Sequence, residues 1–80
     1  MKTIYTQRSR EEGKSWREGS DASERFIAID NIMETIAQKH KPSDAAWSAC
    51  FTDLMQSGRC TIDGTTYEIT EREEEDDEEE

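Results

Sequence analysis

The side chains able to do chemistry in this sequence are few, and each is poorly placed for catalysis. Acid–base work would fall to His40, the one histidine, set between Lys39 and Lys41 where an interhelix loop is expected. That setting predicts a solvated loop residue rather than a catalyst. Cys50, Cys60 and His40 fall short of the four ligands of a structural zinc site, so no metal is expected. The two thiols could pair as a disulfide, but so few cysteines suit a reducing compartment, where they stay free. Gly13, Gly19, Gly58 and Gly64 are scattered and form no phosphate-binding loop. Carboxylates crowd the C-terminus, yet a disordered tail cannot hold an acid and a base at fixed separation. The expectation is a protein that is not an enzyme and uses no cofactor.

Binding chemistry remains. Trp16 lies in Lys14-Ser15-Trp16-Arg17, within a stretch that has no other apolar residue. Tryptophan and arginine are enriched at interface centres, which makes Trp16 and Arg17 candidate partner-binding residues. The alternative is a ring folded back to enlarge a small core. The second candidate is the C-terminal run. Residues 71–80 hold one arginine and nine acids, a net of −8, whereas residues 1–70 are at −2, so the chain's −10 is mostly tail. Glu73, Glu74, Glu75, Asp76, Asp77, Glu78, Glu79 and Glu80 have no apolar neighbour to offset the entropy of ordering and are expected to stay extended and mobile. Such a block either engages a basic surface or serves solubility and blunts a sheet edge beside it.

These residues need elements to position them. Residues 3–7 favour a strand, and the polar, glycine-containing stretch 8–20 reads as a loop. Asp21 with Glu24 three residues on suits a capping box. Behind it, Ala22, Phe26, Ile29, Met33 and Ile36 recur at helical spacing, widened by Ile32 and Ala37, up to Pro42. Ser43 caps a second helix whose stripe is Trp47, Cys50, Phe51, Leu54 and Met55, stopped by Gly58. Asp63-Gly64 then predicts a two-residue hairpin turn pairing Ile62 with Thr65, Cys60 with Tyr67 and Arg59 with Glu68. The expected fold is α+β, order β-α-α-β-β. Two helices would pack on a short antiparallel sheet over residues 1–70, with a disordered acidic tail over 71–80.

With 31% apolar and 38% charged residues, eighty residues make one small domain. The longest apolar run, Phe26 to Ile29, has four residues, far short of a membrane span, and Met1-Lys2-Thr3-Ile4-Tyr5 does not read as a signal peptide. A soluble, cytoplasmic protein with no membrane partner is expected. Both apolar helix faces would also suit completion across a homodimer.

The run from Trp47 to Thr70 resembles the end of a winged helix-turn-helix domain, through Leu54, Gly58, the Asp63-Gly64 turn and Tyr67. The resemblance implies that Ser48, Thr52 and Gln56 would face a major groove and that Thr65 and Thr66 would lie in the wing. Arg8, Arg10, Lys14 and Arg17 would then form a basic arm on which the tail could dock. Against direct nucleic-acid binding, residues 43–57 contain no lysine or arginine, and a −8 tail repels the duplex. The favoured expectation is a small acidic interaction module that inhibits or modulates a larger protein by occupying its basic, nucleic-acid-binding surface. In that general character it resembles small accessory proteins of phages and prophages.

Overall fold

β-Branched and aromatic residues at the N-terminus do form a strand, though a longer one than residues 3–7. In the computed structural model, which describes residues 2–74, β1 runs Lys2–Glu11 and a tight turn returns the chain as β2, Arg17–Ala22. Helices α1 (Arg25–Lys39) and α2 (Asp44–Ser57) follow, then β3 (Arg59–Ile62) and β4 (Thr65–Glu74). All strands are antiparallel, in the order β2-β1-β4-β3, and both helices lie on one face of this four-stranded sheet.

Two expectations are corrected here. The polar stretch 8–20 is not a loop: β1 continues through it and β2 occupies its second half, so the order is β-β-α-α-β-β. β2 is an edge strand whose one buried residue is Ala22, which leaves no apolar alternation to read. The second correction concerns the tail. Glu71, Arg72, Glu73 and Glu74 belong to β4, whose register with β1 runs from Glu11↔Thr65 to Lys2↔Glu74. Backbone pairing of a central strand carries the acids along with it. The expectation for residues 75–80 lies outside the described residues.

The hairpin forms in the expected register, Ile62↔Thr65 and Cys60↔Tyr67. Its turn places Asp63 at φ 50° and Gly64 at φ 77°, the two left-handed positions that Asp-Gly supplies. On α2, the Ser43 hydroxyl accepts from the Ala46 N–H at 3.2 Å, and Gly58 closes the helix at φ 77°. The start of α1 differs from expectation. Glu24 precedes the helix without a side-chain cap, because the Asp21 carboxylate is bound elsewhere, by Thr6 and Arg72.

Ile29, Ile32, Ile36 and Leu54 are fully buried, and Met33, Cys50, Cys60 and Tyr67 complete the core, with Phe51, Ile62 and Ile69 packed against it. The stripe of α1 is rotated relative to the expected one: Ala28 is buried, while Phe26 and Ala37 are exposed. The reason is the broad sheet beneath, which takes the Ala28–Ile32 side of the helix. No helix among the described residues is long and apolar enough to cross a membrane.

Both thiols are free and buried. Burial pushes the Cys60 thiol up to about 12, and adjacent Cys50 adds to the effect. Only the thiolate is nucleophilic, so native protein at pH 8 is expected to resist an aromatic disulfide reagent, and both thiols should react once it is unfolded in guanidinium. Fast labelling of the native state would contradict this packing.

Candidate interaction surfaces

Alternation along the strands divides the side chains between the helix-covered face and an open one. The open face carries Thr6, Arg8 and Arg10 of β1 beside Thr66, Glu68 and Arg72 of β4 and Arg59 of β3. Glu68 is the centre of a cross-strand cluster. Arg8 Nε donates to its Oε1 at 2.7 Å and Arg59 Nη2 to its Oε2 at 2.8 Å. Partial burial raises the Glu68 pKa, but hydrogen bonds from Arg8 and then Arg59 outweigh it and hold the carboxyl below the usual range. A second cluster ties β1, β2 and β4 together. Thr6 Oγ1 donates to Asp21 Oδ1 at 2.8 Å, and Arg72 donates to Thr6 Oγ1 at 2.9 Å and to Asp21 Oδ2 at 3.0 Å.

Trp16 reaches this open face from the turn between β1 and β2. Half-buried, it sits just before β2, with the Arg8 guanidinium 4.1 Å and that of Arg10 5.0 Å from the ring centroid. These are cation–π distances, so the ring is held by two arginines of the neighbouring strand. Arg17 pairs with Ser9, on the helix side. There it borders a groove of about 300 Å³ between α1 and the β1–β2 hairpin, with Gln7, Thr35 and Lys39. An adjoining hollow of about 340 Å³ adds Lys14, but also Glu11, which sits 3.6 Å from the Lys14 ammonium. Trp16 and Arg17 both line this hollow with Lys39, while the Trp16 ring also meets Arg8 and Arg10 of the open face.

The acidic residues are placed differently. β2 accompanies β1 only down to Tyr5↔Ala22, and β3 accompanies β4 only from Thr65 to Glu68. Beyond those limits, residues 2–4 and 72–74 pair with each other alone, as a two-stranded ribbon projecting from the body. Glu73 and Glu74 are exposed at its end. Glu74 is 3.1 Å from Arg72, whereas Glu71 and Glu73 make no ion pair among the described residues. Glu75, Asp76, Asp77, Glu78, Glu79 and Glu80 continue the chain from there, outside the described residues.

His40 corrects the expectation of a solvated loop residue. It caps α1, with Nε2 2.9 Å from the Tyr67 hydroxyl and Nδ1 3.3 Å from Asp63 Oδ2. With the Nδ1 proton facing Asp63, Nε2 accepts from Tyr67; this tautomer is assigned from the partners. Burial raises the Tyr67 pKa and so favours the protonated donor. This Asp–His–Tyr chain joins the end of α1 to the β3–β4 hairpin, and Tyr67 is 4% exposed. It acts as a lock. Tyr67→Phe is expected to cost about 1 kcal/mol in urea unfolding, the value of one buried hydrogen bond, and an unchanged midpoint would show the contact idle. The sequence alone does not reveal it, because His40 is more than twenty residues from the hairpin that carries Asp63 and Tyr67.

Ser48, Thr52 and Gln56 are exposed on α2, but Thr65 is buried and the hairpin is built into the sheet. A free wing is therefore not formed. No group of three His, Cys, Asp or Glu among the described residues is placed to hold a metal ion. Comparison with protein-family models, curated proteins and solved structures found no match.

Proposed function

We propose that this chain is a small acidic interaction module that inhibits or modulates a larger protein by occupying its basic, nucleic-acid-binding surface. The observation that carries the reading is the segregation of charge. Glu71, Glu73 and Glu74 lie at the Lys2 end of the β1–β4 pair, with the acids of 75–80 following in the sequence, while Arg8, Arg10, Lys14, Arg17 and Lys39 lie toward the opposite end of β1. A projecting run of carboxylates presents a polyanion at a phosphate-like density and steers encounter with a cationic cleft. The body supplies a scaffold that orders the first part of that run. In this reading the chain acts by binding, without catalysis, and takes a protein rather than nucleic acid as its partner.

The alternative, a nucleic-acid-binding regulator whose tail covers its own basic arm, finds less support. α2 has no lysine or arginine to contact phosphates.

The test is capture from nuclease-treated bacterial lysate by the full-length chain and by a variant with Glu71, Glu73 and the acids of 75–80 replaced by their amides. Any retained protein is then assayed for its nucleic-acid binding. The expected result is a protein with a cationic cleft, displaced from nucleic acid by the natural chain. The amide variant should compete at least tenfold less well, and raising the salt should weaken the natural chain alone. Equal competition by both chains, insensitive to salt, would refute the reading.

A further inference from the structure

We propose that the outer seam between α1 and α2 is a second docking surface, for an apolar ridge flanked by lysine or arginine on the partner protein. The proposal rests on the reading above that the partner presents basic surface, and it assigns the contact that charge alone cannot specify.

The seam is apolar without structural need. Trp47 is 40%, Met55 42% and Phe26 58% exposed, although each belongs to a helix whose core-facing residues are sealed. A domain this small rarely leaves a tryptophan and a phenylalanine in water unless the surface has an occupant. Trp47 is also preorganised. Its ring stacks on Phe51, centroids 5.9 Å apart and planes within 6°, and Phe51 packs on the core. Trp47, Phe51 and Met55 recur every four residues and so form one row along α2. A rigid aromatic anchor bound at low entropic cost is the usual centre of a protein interface.

The charge around this row selects the occupant. Trp47 closes a groove of about 300 Å³ whose other walls are Met33, Ala37, Asp30 and Glu34. The two acids are four residues apart on α1, on one rim, and no cation lines the groove. α2 brings Asp44 and Asp53 and no lysine or arginine. An apolar floor with an acidic rim complements an amphipathic helix whose apolar stripe is bordered by cations. A second copy of this chain is the wrong occupant. Two-fold pairing would bring Asp30 and Glu34 toward their own copies on a molecule of net charge −10.

The test is titration of the isotope-labelled full chain with an 18-residue leucine–lysine amphipathic helical peptide in 300 mM salt, which screens the exposed ribbon. Amide shifts are expected to cluster at Met33, Ala37 and the Trp47 indole. Trp47→Ala should weaken binding at least tenfold with little change in thermal midpoint. Asp30→Lys with Glu34→Lys should do the same without touching the core, and a scrambled peptide should bind at least tenfold less well. Binding insensitive to both variants, or shifts confined to residues 71–80, would overturn the proposal while leaving the acidic-ribbon reading intact. A concentration-dependent dimer dissolved by Trp47→Ala would overturn it in favour of self-association. Failure of the ribbon reading is seen separately, in the competition by the amide variant.

Discussion

Replacing Leu54 with alanine is expected to cost about 2–5 kcal/mol and to bring the fold to the edge of stability. Leu54 is fully buried, and it joins the core in which α1, α2, β3 and β4 meet. Its carbonyl is equally committed. It accepts the Gly58 N–H at 3.0 Å, which closes α2, and Arg25 Nη2 at 2.9 Å, which ties the start of α1 to the end of α2. A cavity here therefore sits under a helix terminus and beside the α1–α2 contact. A domain of this size has about 4–12 kcal/mol in total at ordinary stability per residue, so one such cavity removes a large share. Urea unfolding followed by far-ultraviolet circular dichroism measures the loss. Thr52→Ala, exposed on the same helix, serves as the control and is expected to shift stability by less than about 0.5 kcal/mol. Equal midpoints for Leu54→Ala and the natural chain would mean that this core is not what holds the fold.

Leu54 was legible in the sequence, and so was most of what surrounds it. α2 announces itself at both ends, with Ser43 to accept the Ala46 N–H and Gly58 to adopt a left-handed turn. The β3–β4 hairpin follows from Asp63-Gly64, and its register places Cys60 and Tyr67 together. These signals are local, and the physics that reads them is local too. β2 was not legible, because an edge strand that buries only Ala22 carries neither alternation nor β-branched residues. Its existence depends on β1, with Thr6 reaching Asp21 across the pair. The acids 71–74 misled for the same reason: their composition is that of a disordered segment, but ten positions of pairing with β1 hold them in a strand.

The interaction surfaces divide along the same line. Trp16 stood out because nothing around it in sequence was apolar, yet its partners, Arg8 and Arg10, are cations of the adjoining strand. Trp47 drew no notice, since it fits the helical stripe as well as any core residue. What decides its place is how much of α2 its neighbours cover: Cys50 and Leu54 are sealed, and Trp47 and Met55 are left exposed. Periodicity identifies an apolar stripe; it does not say how wide a strip the sheet will cover.

Glu68→Gln is expected to cost about 1–3 kcal/mol at neutral pH and to flatten the acid side of the stability curve. The Glu68 side chain is 17% exposed and receives arginines from both flanking strands, Arg8 at 30% and Arg59 at 58% exposure. Without its charge, those two guanidiniums face each other across β4 with no anion between them. Its folded pKa lies below the ordinary 4.5. A carboxyl held low in the folded state stabilises it fully above the unfolded value, and that contribution is lost as pH falls through the folded one. The Asp21 carboxyl is lowered likewise, by the Thr6 hydrogen bond first and then by Arg72, so it adds to the same limb. Carboxylates with one pKa in both states contribute no slope, however many there are. Urea midpoints taken from pH 6 down to pH 3 should therefore fall in the natural chain and fall less in Glu68→Gln. If the two curves run parallel, the acid sensitivity of the fold comes from elsewhere, and Asp21→Asn becomes the variant that must account for it.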